Sequence, residues 1–175
     1  MKKFLTFLLL PFIAFSQEQL TDSQEQFTDS QEQLTEERVV DHINEFFSAL
    51  NIQNYDKEAL SQKVTNDFII FEMGEKFTLN EFTDFIESAG YLGWLSTEWF
   101  LSDFTISIDS NSAHVSYLNT GVFIYPNPYA SEVLLKENKK WLESIYIVLE
   151  GDEMKIKFLQ SDDIYSKVSV YRKSS

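Results

Sequence analysis

Glu143 is the residue whose position in the sequence best suits acid–base chemistry. It falls in the first of two segments, 140–149 and 154–161, in which apolar and polar residues alternate on either side of four turn-forming residues. This pattern predicts a β-hairpin. If the turn closes symmetrically, Glu143 faces Gln160 and the two lie on one face of the hairpin. The remaining residues of that face are apolar: Ile145, Ile147, Ile156 and Phe158.

The chemistry open to Glu143 depends on its burial. Removing a carboxylate from water raises its pKa, and a carboxyl that titrates near neutral pH can donate or shuttle a proton. Alternatively, Glu143 accepts hydrogen bonds at a wet sheet edge and has no special role. The sequence leaves both interpretations open.

A second hairpin adds three polar side chains to the same candidate site. Residues 99–108 and 113–125 alternate in polarity around another four turn-forming residues. With a symmetric turn, Ser102 faces Asn119, and both share with Tyr117 one end of an otherwise apolar face. Together the two hairpins predict a cavity with convergent polar groups. The alternative is that these groups satisfy one another or water at the sheet edge.

Three helices precede the hairpins and would cover this face. Apolar residues recur at helical spacing from Val39 to Leu50, and Asp56 can cap a shorter helix that runs through Val64. The capping box Thr78-Leu-Asn-Glu81 begins a third helix, which ends near Gly90. A short apolar strand, 67–72, separates the second helix from the third. Helices followed by an antiparallel sheet indicate the α+β class.

Trp94 completes the set of candidate ligand-binding residues. It ends the loop Gly90-Tyr-Leu-Gly-Trp94, which could act as a mobile lid over the pocket. Trp94, Trp99 and Trp141 could also form an aromatic cage, although packing of helices on the sheet explains the three tryptophans more simply.

The sequence contains no recognisable metal or cofactor motif. The acidic clusters at 150–153 and 162–163 lack the ligand spacing of a calcium loop, and no glycine-rich phosphate loop or serine elbow occurs. His42 lies at the edge of the apolar stripe of the first helix, and His114 alternates with apolar residues and should point to the outer face of the sheet. We therefore expect no metal site and no cofactor.

The composition predicts one acidic, packed domain. The chain has 175 residues, a formal net charge of −14 and a pI near 4.4, with 43% hydrophobic and 15% aromatic residues. The negative charge disfavours nucleic acid and acidic membranes as partners. The absence of cysteine excludes disulfides and thiol chemistry.

The N-terminal residues predict export. Residues 1–16 combine two lysines, a short apolar run and small residues before position 17, which is typical of a signal peptide cleaved after Ser16; a retained membrane anchor is the alternative. Residues 17–37 repeat with period seven and hold two Asp and five Glu without Lys or Arg, a charge of −7, which predicts an acidic, disordered linker. We expect the domain at 38–167, a tail at 168–175, and a secreted or periplasmic protein that leaves the membrane after cleavage.

Five segments of the chain resemble the nuclear transport factor 2-like superfamily, and its SnoaL-like and related secreted bacterial branches are the most similar. The segments are 39–51, 66–75, 115–121, 141–144 and 155–161, so the resemblance covers about 39–165. It implies a cone of helices packed on a strongly curved antiparallel sheet, in the cystatin-like manner, with the pocket at the open end and frequent dimerisation through the outer sheet face. The enzymes of this superfamily use an Asp or His base inside the cone, and no such dyad matches this sequence.

Three functions are compatible with these patterns. The leading hypothesis is a secreted protein that binds a small, largely apolar ligand, or a partner chain, in its cone. The second is an isomerase-, dehydratase- or hydrolase-like enzyme in which Glu143 is the general acid or base and Tyr117 and Asn119 donate hydrogen bonds to an oxyanion. The third is a dimeric structural module, and a homodimer is expected with any of these functions because the outer sheet face is apolar. The residues of that face are Leu118, Val122, Ile124, Leu142, Tyr146 and Val148.

Overall fold

A computed structural model describes residues 34–172 of the chain. The predicted signal peptide, and the predicted linker up to residue 33, lie outside the described residues. The helices are α1 (Glu36–Leu50), α2 (Lys57–Lys63) and α3 (Leu79–Ser88), with a single 3-10 turn at Tyr91–Gly93. The strands are β1 (Val64–Glu72), β2 (Glu75–Phe77), β3 (Ser96–Ile108), β4 (Ser112–Asn127), β5 (Ala130–Glu150) and β6 (Glu153–Val170).

Helix α1 begins earlier than its apolar stripe suggests. The Thr35 side chain accepts a hydrogen bond from the backbone N–H of Arg38 and caps the helix. Leu34, directly before the cap, is only 4% exposed and belongs to the same core cluster as Val39, an arrangement typical of a hydrophobic staple. Folded structure therefore extends into residues 34–37, which the sequence predicts to be linker.

The other helix starts agree with the sequence prediction. The Asp56 carboxylate accepts hydrogen bonds from two backbone N–H groups of the first turn of α2. Thr78 and Glu81 form the predicted reciprocal capping box at the start of α3. Each of these helices is short, so its cap contributes a large share of its stability. No helix within residues 34–172 has both the length and the apolar character needed to cross a bilayer.

The strands form one six-stranded sheet in the order β2-β1-β6-β5-β4-β3. The meander from β3 to β6 is antiparallel, as predicted, but β1 lies parallel to β6. The parallel pair arises because no turn joins these two strands: the chain between them builds β2, α3 and the other strands of the sheet. The predicted α+β class, with helices on one face of a curved sheet, is confirmed, and the sheet is mixed.

Strands β5 and β6 are much longer than predicted. The alternating pattern covers only residues 140–149 and 154–161. The paired strands begin at Ala130 and end at Val170, which lies beyond the predicted domain end at 167. Polar residues on both faces mask the alternation in these outer portions. Leu135 pairs with Val170 at the far end of the ribbon.

The predicted register of the β5–β6 hairpin is wrong away from its turn. Pairing is symmetric as far as Ile147 and Ile156, but Lys157 is then an extra residue on β6. This β-bulge shifts the pairs from Tyr146 to Trp141 by one residue, so Glu143 faces Ser161 instead of Gln160. Phe158 and Gln160 accordingly point to the outer face, and Leu159 and Ser161 replace them on the inner face.

The predicted register of the β3–β4 hairpin is also wrong beyond a bulge. Ile108 faces Ala113 as predicted, but the pairing shifts between Ser102 and Thr105. Asp103 has a φ of 56°, a left-handed conformation that Asp tolerates better than most residues. Because of this bulge Ser102 faces Leu118, not Asn119, and is exposed on the outer side of the sheet.

Candidate functional site

A cavity of about 310 Å³ lies between the helices and the inner face of the sheet. We call it the cone cavity. Its volume is at the lower end of the range for small-molecule pockets. Its walls are mainly aromatic and aliphatic side chains from α1, α3, the segment 91–99 and the inner faces of β1 and of β4 to β6. The polar or charged residues that line it are Glu72, Glu137, Lys139, Glu143 and Ser161.

Four inner-face residues form a row across four neighbouring strands at one end of this cavity. Glu143 on β5 faces Ser161 on β6 and Tyr117 on β4. The parallel pairing of β1 with β6 places Glu72 beside Ser161. Since neighbouring strands lie about 4.8 Å apart, the two carboxyl side chains arise on strands about 10 Å apart with the serine between them.

Glu143 is deeply buried, and only one of its two carboxyl oxygens accepts hydrogen bonds in the described residues. Its side chain accepts hydrogen bonds at Oε1 from Asn119 Nδ2 at 3.2 Å and from Ser161 Oγ at 3.3 Å. Oε2 has no hydrogen-bond partner in the described residues, and Glu143 is 7% exposed. Burial raises its pKa to about 7, and the charge of Glu72 adds to this effect, while the hydrogen-bonding groups around it oppose it.

Tyr117 lies next to Glu143 on the neighbouring strand and does not line the cavity. Its hydroxyl is buried without a hydrogen bond of good geometry, yet it lies close enough to Glu143 to lower the pKa of that carboxyl. Burial, followed by the negative charge of Glu143, raises the pKa of Tyr117 well above its ordinary value. Tyr117 is therefore a neutral phenol in the folded protein.

Glu72 is the second carboxyl of the cavity wall. Burial raises its pKa, and the Ser161 hydroxyl acts in the opposite direction. The negative charge of Asp163 raises this pKa further, whereas Lys139 lowers it. Ser161 therefore lies between two carboxyl groups and has a single hydroxyl hydrogen to donate.

Aromatic rings form the opposite part of the cavity. The Trp99 ring lies 5.0 Å from that of Phe123 and 5.7 Å from that of Trp141, and Trp94 stacks on Tyr125 at 4.9 Å between ring centroids. The indole N–H groups of Trp99 and Trp141 are buried without partners in the described residues. All three tryptophans of the chain line the cavity.

Gly121 provides the space that two of these rings occupy. A Cβ atom at this position would lie 2.4 Å from the Phe123 ring and 2.8 Å from the Trp141 ring. The rings therefore lie directly over the glycine backbone. A larger residue at this point would force them to move.

Two charged groups of the wall, Lys139 and Glu137, already have charged or hydrogen-bonding partners within the protein. Lys139 Nζ lies 2.8 Å from a carboxylate oxygen of Asp163 and 5.0 Å from the centre of the Trp141 ring. Glu137 accepts hydrogen bonds from the Tyr125 hydroxyl at 3.0 Å and from the Ser166 hydroxyl at 2.9 Å. The groups with unused hydrogen-bonding capacity are thus concentrated at Glu143 and the two indoles.

The structure brings four of the six predicted site residues together. Glu143 and Trp94 line the cavity, whereas Tyr117 and Asn119 lie behind Glu143 and do not form part of the wall. Ser102 and Gln160 are exposed on the outer face, because the two bulges displace them, and do not reach the cavity. The 90–94 loop contributes to the wall and is anchored by a hydrogen bond from the Tyr91 hydroxyl to the Leu50 carbonyl.

Four polar or charged groups of the wall are not predicted from the sequence: Glu72, Glu137, Lys139 and Ser161. Glu72 ends a strand that the sequence does predict, and Ser161 is one residue beyond the predicted partner of Glu143. The two histidines lie elsewhere, as predicted. His42 is buried against the Lys63 carbonyl at 3.2 Å, and His114 is exposed on the outer face with Ser144 at 2.7 Å.

Metal ligands do not cluster in the part of the chain that the structure describes: it contains no group of three or more His, Cys, Asp or Glu side chains arranged to hold an ion.

Comparison with solved structures identifies the fold. A candidate scytalone dehydratase from Novosphingobium aromaticivorans has a TM-score of 0.60 and 14% sequence identity, and the match covers 85% of this chain and 94% of that one. An NTF2-like (nuclear transport factor 2-like) protein from Cytophaga hutchinsonii has a TM-score of 0.55 and 21% identity, over 75% of this chain and all of the other.

A third similar structure is the association domain of CaMKII from C. elegans. Its TM-score is 0.54 at 14% identity, and the match covers 72% of this chain and 93% of that domain. Neither a protein-family model nor a curated protein sequence matches the chain. These similarities confirm the predicted NTF2-like fold. Because such distant structures include both a candidate dehydratase and an association domain, the fold alone does not determine the function.

Proposed function

We propose that this protein binds a small, largely apolar molecule in the cone cavity. The observation that carries the proposal is the coexistence of an aromatic wall with three unpaired polar atoms, Trp99 Nε1, Trp141 Nε1 and Glu143 Oε2, all on residues that line the cavity. Buried polar groups in folded proteins are nearly always hydrogen-bonded. A ligand with an apolar body and polar groups at one end would fill the cavity and lie next to the residues that carry these atoms.

An uncharged fluorescent probe, N-phenyl-1-naphthylamine, tests this proposal. Since every tryptophan of the chain lines the cavity, a bound probe should quench their emission and gain fluorescence by energy transfer, with saturation at one probe per chain. Ala89→Phe, at an exposed position of the cavity wall, should weaken binding by about tenfold or more because its ring enters the cavity.

The matched control is Ser88→Phe, which places the same ring on the neighbouring exposed residue that does not line the cavity. It should bind the probe as the unaltered protein does. Absence of saturable binding, or equal binding by the Ala89→Phe and Ser88→Phe variants, would contradict the proposal.

A second candidate function is acid–base catalysis by Glu143. It is supported by the pKa of about 7 for a carboxyl in the cavity wall, which suits proton abstraction next to a carbonyl group. The unpaired indole N–H groups could then donate to the substrate oxygen. Tyr117 and Asn119 would position Glu143 and would not contact the substrate, since neither lines the cavity.

Exchange of the acidic protons of 2-tetralone in heavy water tests this second function. Catalysis by Glu143 predicts exchange that Glu143→Gln slows by about 100-fold or more. Binding of N-phenyl-1-naphthylamine should still be saturable in that variant, at reduced affinity, because the aromatic wall is unaltered. Exchange at equal rates in the two proteins would exclude Glu143 as the catalytic group and leave ligand binding as the function.

We further propose that the protein is exported and forms a homodimer. Export is supported by the signal-peptide pattern of residues 1–16. Dimerisation is supported by large apolar side chains on the outer sheet face, where Leu142 is 55% exposed next to half-buried Leu118, and by the similarity of the fold to an association domain. A second copy of this face is the occupant we expect.

A further inference from the structure

The charges that line the cone cavity are unbalanced. Three carboxyl groups line it, those of Glu72, Glu137 and Glu143, against the single ammonium group of Lys139. That ammonium group is already paired with Asp163 at 2.8 Å. The wall of the cavity therefore favours a positive charge inside it.

The two carboxyls beside Ser161 are short of hydrogen-bond donors. Glu137 has two hydroxyl donors of its own. By contrast, Glu143 shares the Ser161 hydroxyl with Glu72, and Asn119 donates only to Oε1 of Glu143. Oε2 has no hydrogen bond of good geometry in the described residues, although the Tyr117 hydroxyl lies nearby and Glu143 is 93% buried. An ammonium group offers three N–H donors and a positive charge, which matches this deficit.

The aromatic part of the wall is also suited to a cation. Lys139 Nζ already lies over the Trp141 ring at 5.0 Å, within the distance at which ring faces attract cations. Trp99, Trp94 and Phe123 extend the aromatic surface beyond Trp141. Carboxylates together with aromatic faces form the usual recognition surface for organic ammonium ions.

From these observations we infer that the ligand of the cone cavity is an organic amine, whose ammonium group binds between Glu72 and Glu143 while its apolar body lies against the tryptophans. This inference rests on the proposed binding function and specifies its ligand class. A carboxylic acid of the same size would face three carboxyl groups, and a neutral alcohol would leave the charge of the wall unbalanced.

Binding of an amine should also release protons. The charged and titratable side chains around the two carboxyls are Tyr117 on β4, Glu137 and Lys139 on β5, and Asp162 and Asp163 on β6. An added ammonium group favours the ionised form of Glu72 and Glu143, so their pKa values fall on binding. At about pH 7, calorimetric titrations in two buffers of different ionisation enthalpy should detect this release for an amine and none for an alcohol.

Three probes that share one apolar body test the inference: 1-naphthylmethylamine, 1-naphthylmethanol and 1-naphthoate. At about pH 8 the amine should bind at least about tenfold more tightly than the alcohol, and the carboxylate more weakly than either. Glu72→Gln and Glu143→Gln should each reduce amine affinity by about tenfold and reduce alcohol affinity by much less, because the neutral alcohol loses no charge pairing with the wall. The alcohol thus confirms that each variant retains a folded cavity.

The control is Glu98→Gln, which removes an exposed carboxylate from β3 outside the cavity and should change nothing. Equal affinity for amine and alcohol, tighter binding of the carboxylate, or an unchanged amine affinity in both glutamine variants would overturn the inference and leave the proposed binding function intact. If none of the three probes binds and N-phenyl-1-naphthylamine does not bind either, the binding function itself fails, and the inference with it.

Discussion

Glu72 and Glu143 flank the single hydroxyl group of Ser161 from the two strands that border β6. The two glutamates are far apart in the sequence and meet only because β1 pairs in parallel with the last strand. Both pKa values are raised, chiefly by burial, and the charge of Glu72 makes the ionisation of Glu143 less favourable. This pair gives an otherwise aromatic cavity its polar end.

Replacement of Glu143 by glutamine should stabilise the protein in mild alkali. The pKa of Glu143 is about 7 in the folded chain against an ordinary 4.5, so between these values the folded state holds a proton that the unfolded state has lost. The contribution of Glu143 to stability is therefore lost as the pH rises from about 4.5 to about 7. Glu143→Gln should raise the free energy of unfolding by about 1–3 kcal/mol at about pH 8 and change it little at about pH 5.

Urea unfolding at the two pH values measures this effect, with Glu98→Gln as the exposed control. A glutamine variant that is less stable than the unaltered protein at both pH values would show that the hydrogen bonds to Glu143 outweigh its burial.

Gly121→Ala should destabilise the protein and disturb the cavity. The added methyl group would overlap the rings of Phe123 and Trp141, both of which are buried and cannot move freely. Overpacking of this kind costs about 1–3 kcal/mol. Thermal unfolding and tryptophan emission should both change.

Gly93→Ala is the matched control, because an added Cβ at Gly93 meets no atom within 4 Å. It should leave stability and emission nearly as they were. If the two alanine variants behave alike, the rings over Gly121 are free to relax and the aromatic wall is less rigid than the structure indicates.

A charge on the outer sheet face should prevent dimerisation. Leu142→Asp places a carboxylate in the apolar surface that we expect a second copy to cover, where an unpaired buried charge is strongly unfavourable. Light scattering should give a dimer mass for the unaltered chain and a monomer mass for this variant.

The control for the dimer is Tyr129→Asp, at a residue that is 96% exposed in the β4–β5 turn. It should remain dimeric. A monomer mass for the unaltered protein at micromolar concentration would remove the dimer proposal altogether.

The N-terminus of the exported protein should be Gln17. Cleavage after Ser16 follows from the apolar run and the small residues before it. Mass spectrometry of the protein recovered from a secreting host measures the mature N-terminus directly. A chain that retains Met1 in a membrane fraction would favour the anchor alternative.

Local features of the sequence predict the helices well. The caps at Asp56 and at Thr78 with Glu81 involve side chains and backbone groups only a few residues apart, so their effect can be read without knowledge of the fold. The inward orientation of Glu143 was predictable for a similar reason, since side chains alternate along a strand.

The composition of the site depends on features that local pattern does not encode. Bulges at Lys157 and near Asp103 shift the register by one residue, and neither is marked by glycine or proline. Simple alternation therefore predicts that Gln160 and Ser102 lie on the inner face of the sheet, whereas the residues next to them in the sequence occupy that face. Glu72 reaches the site only through the parallel pairing of β1 with β6, which is a property of the whole fold.

The most direct test of ligand binding is to follow the three indole N–H signals in a nitrogen-15 spectrum during titration with N-phenyl-1-naphthylamine. Binding in the cone cavity should give saturable shifts of the Trp99 and Trp141 signals, while the side-chain amide signal of Gln160 on the outer face stays in place. Indole signals that do not move at saturating probe, or shifts confined to the outer sheet face, would contradict it.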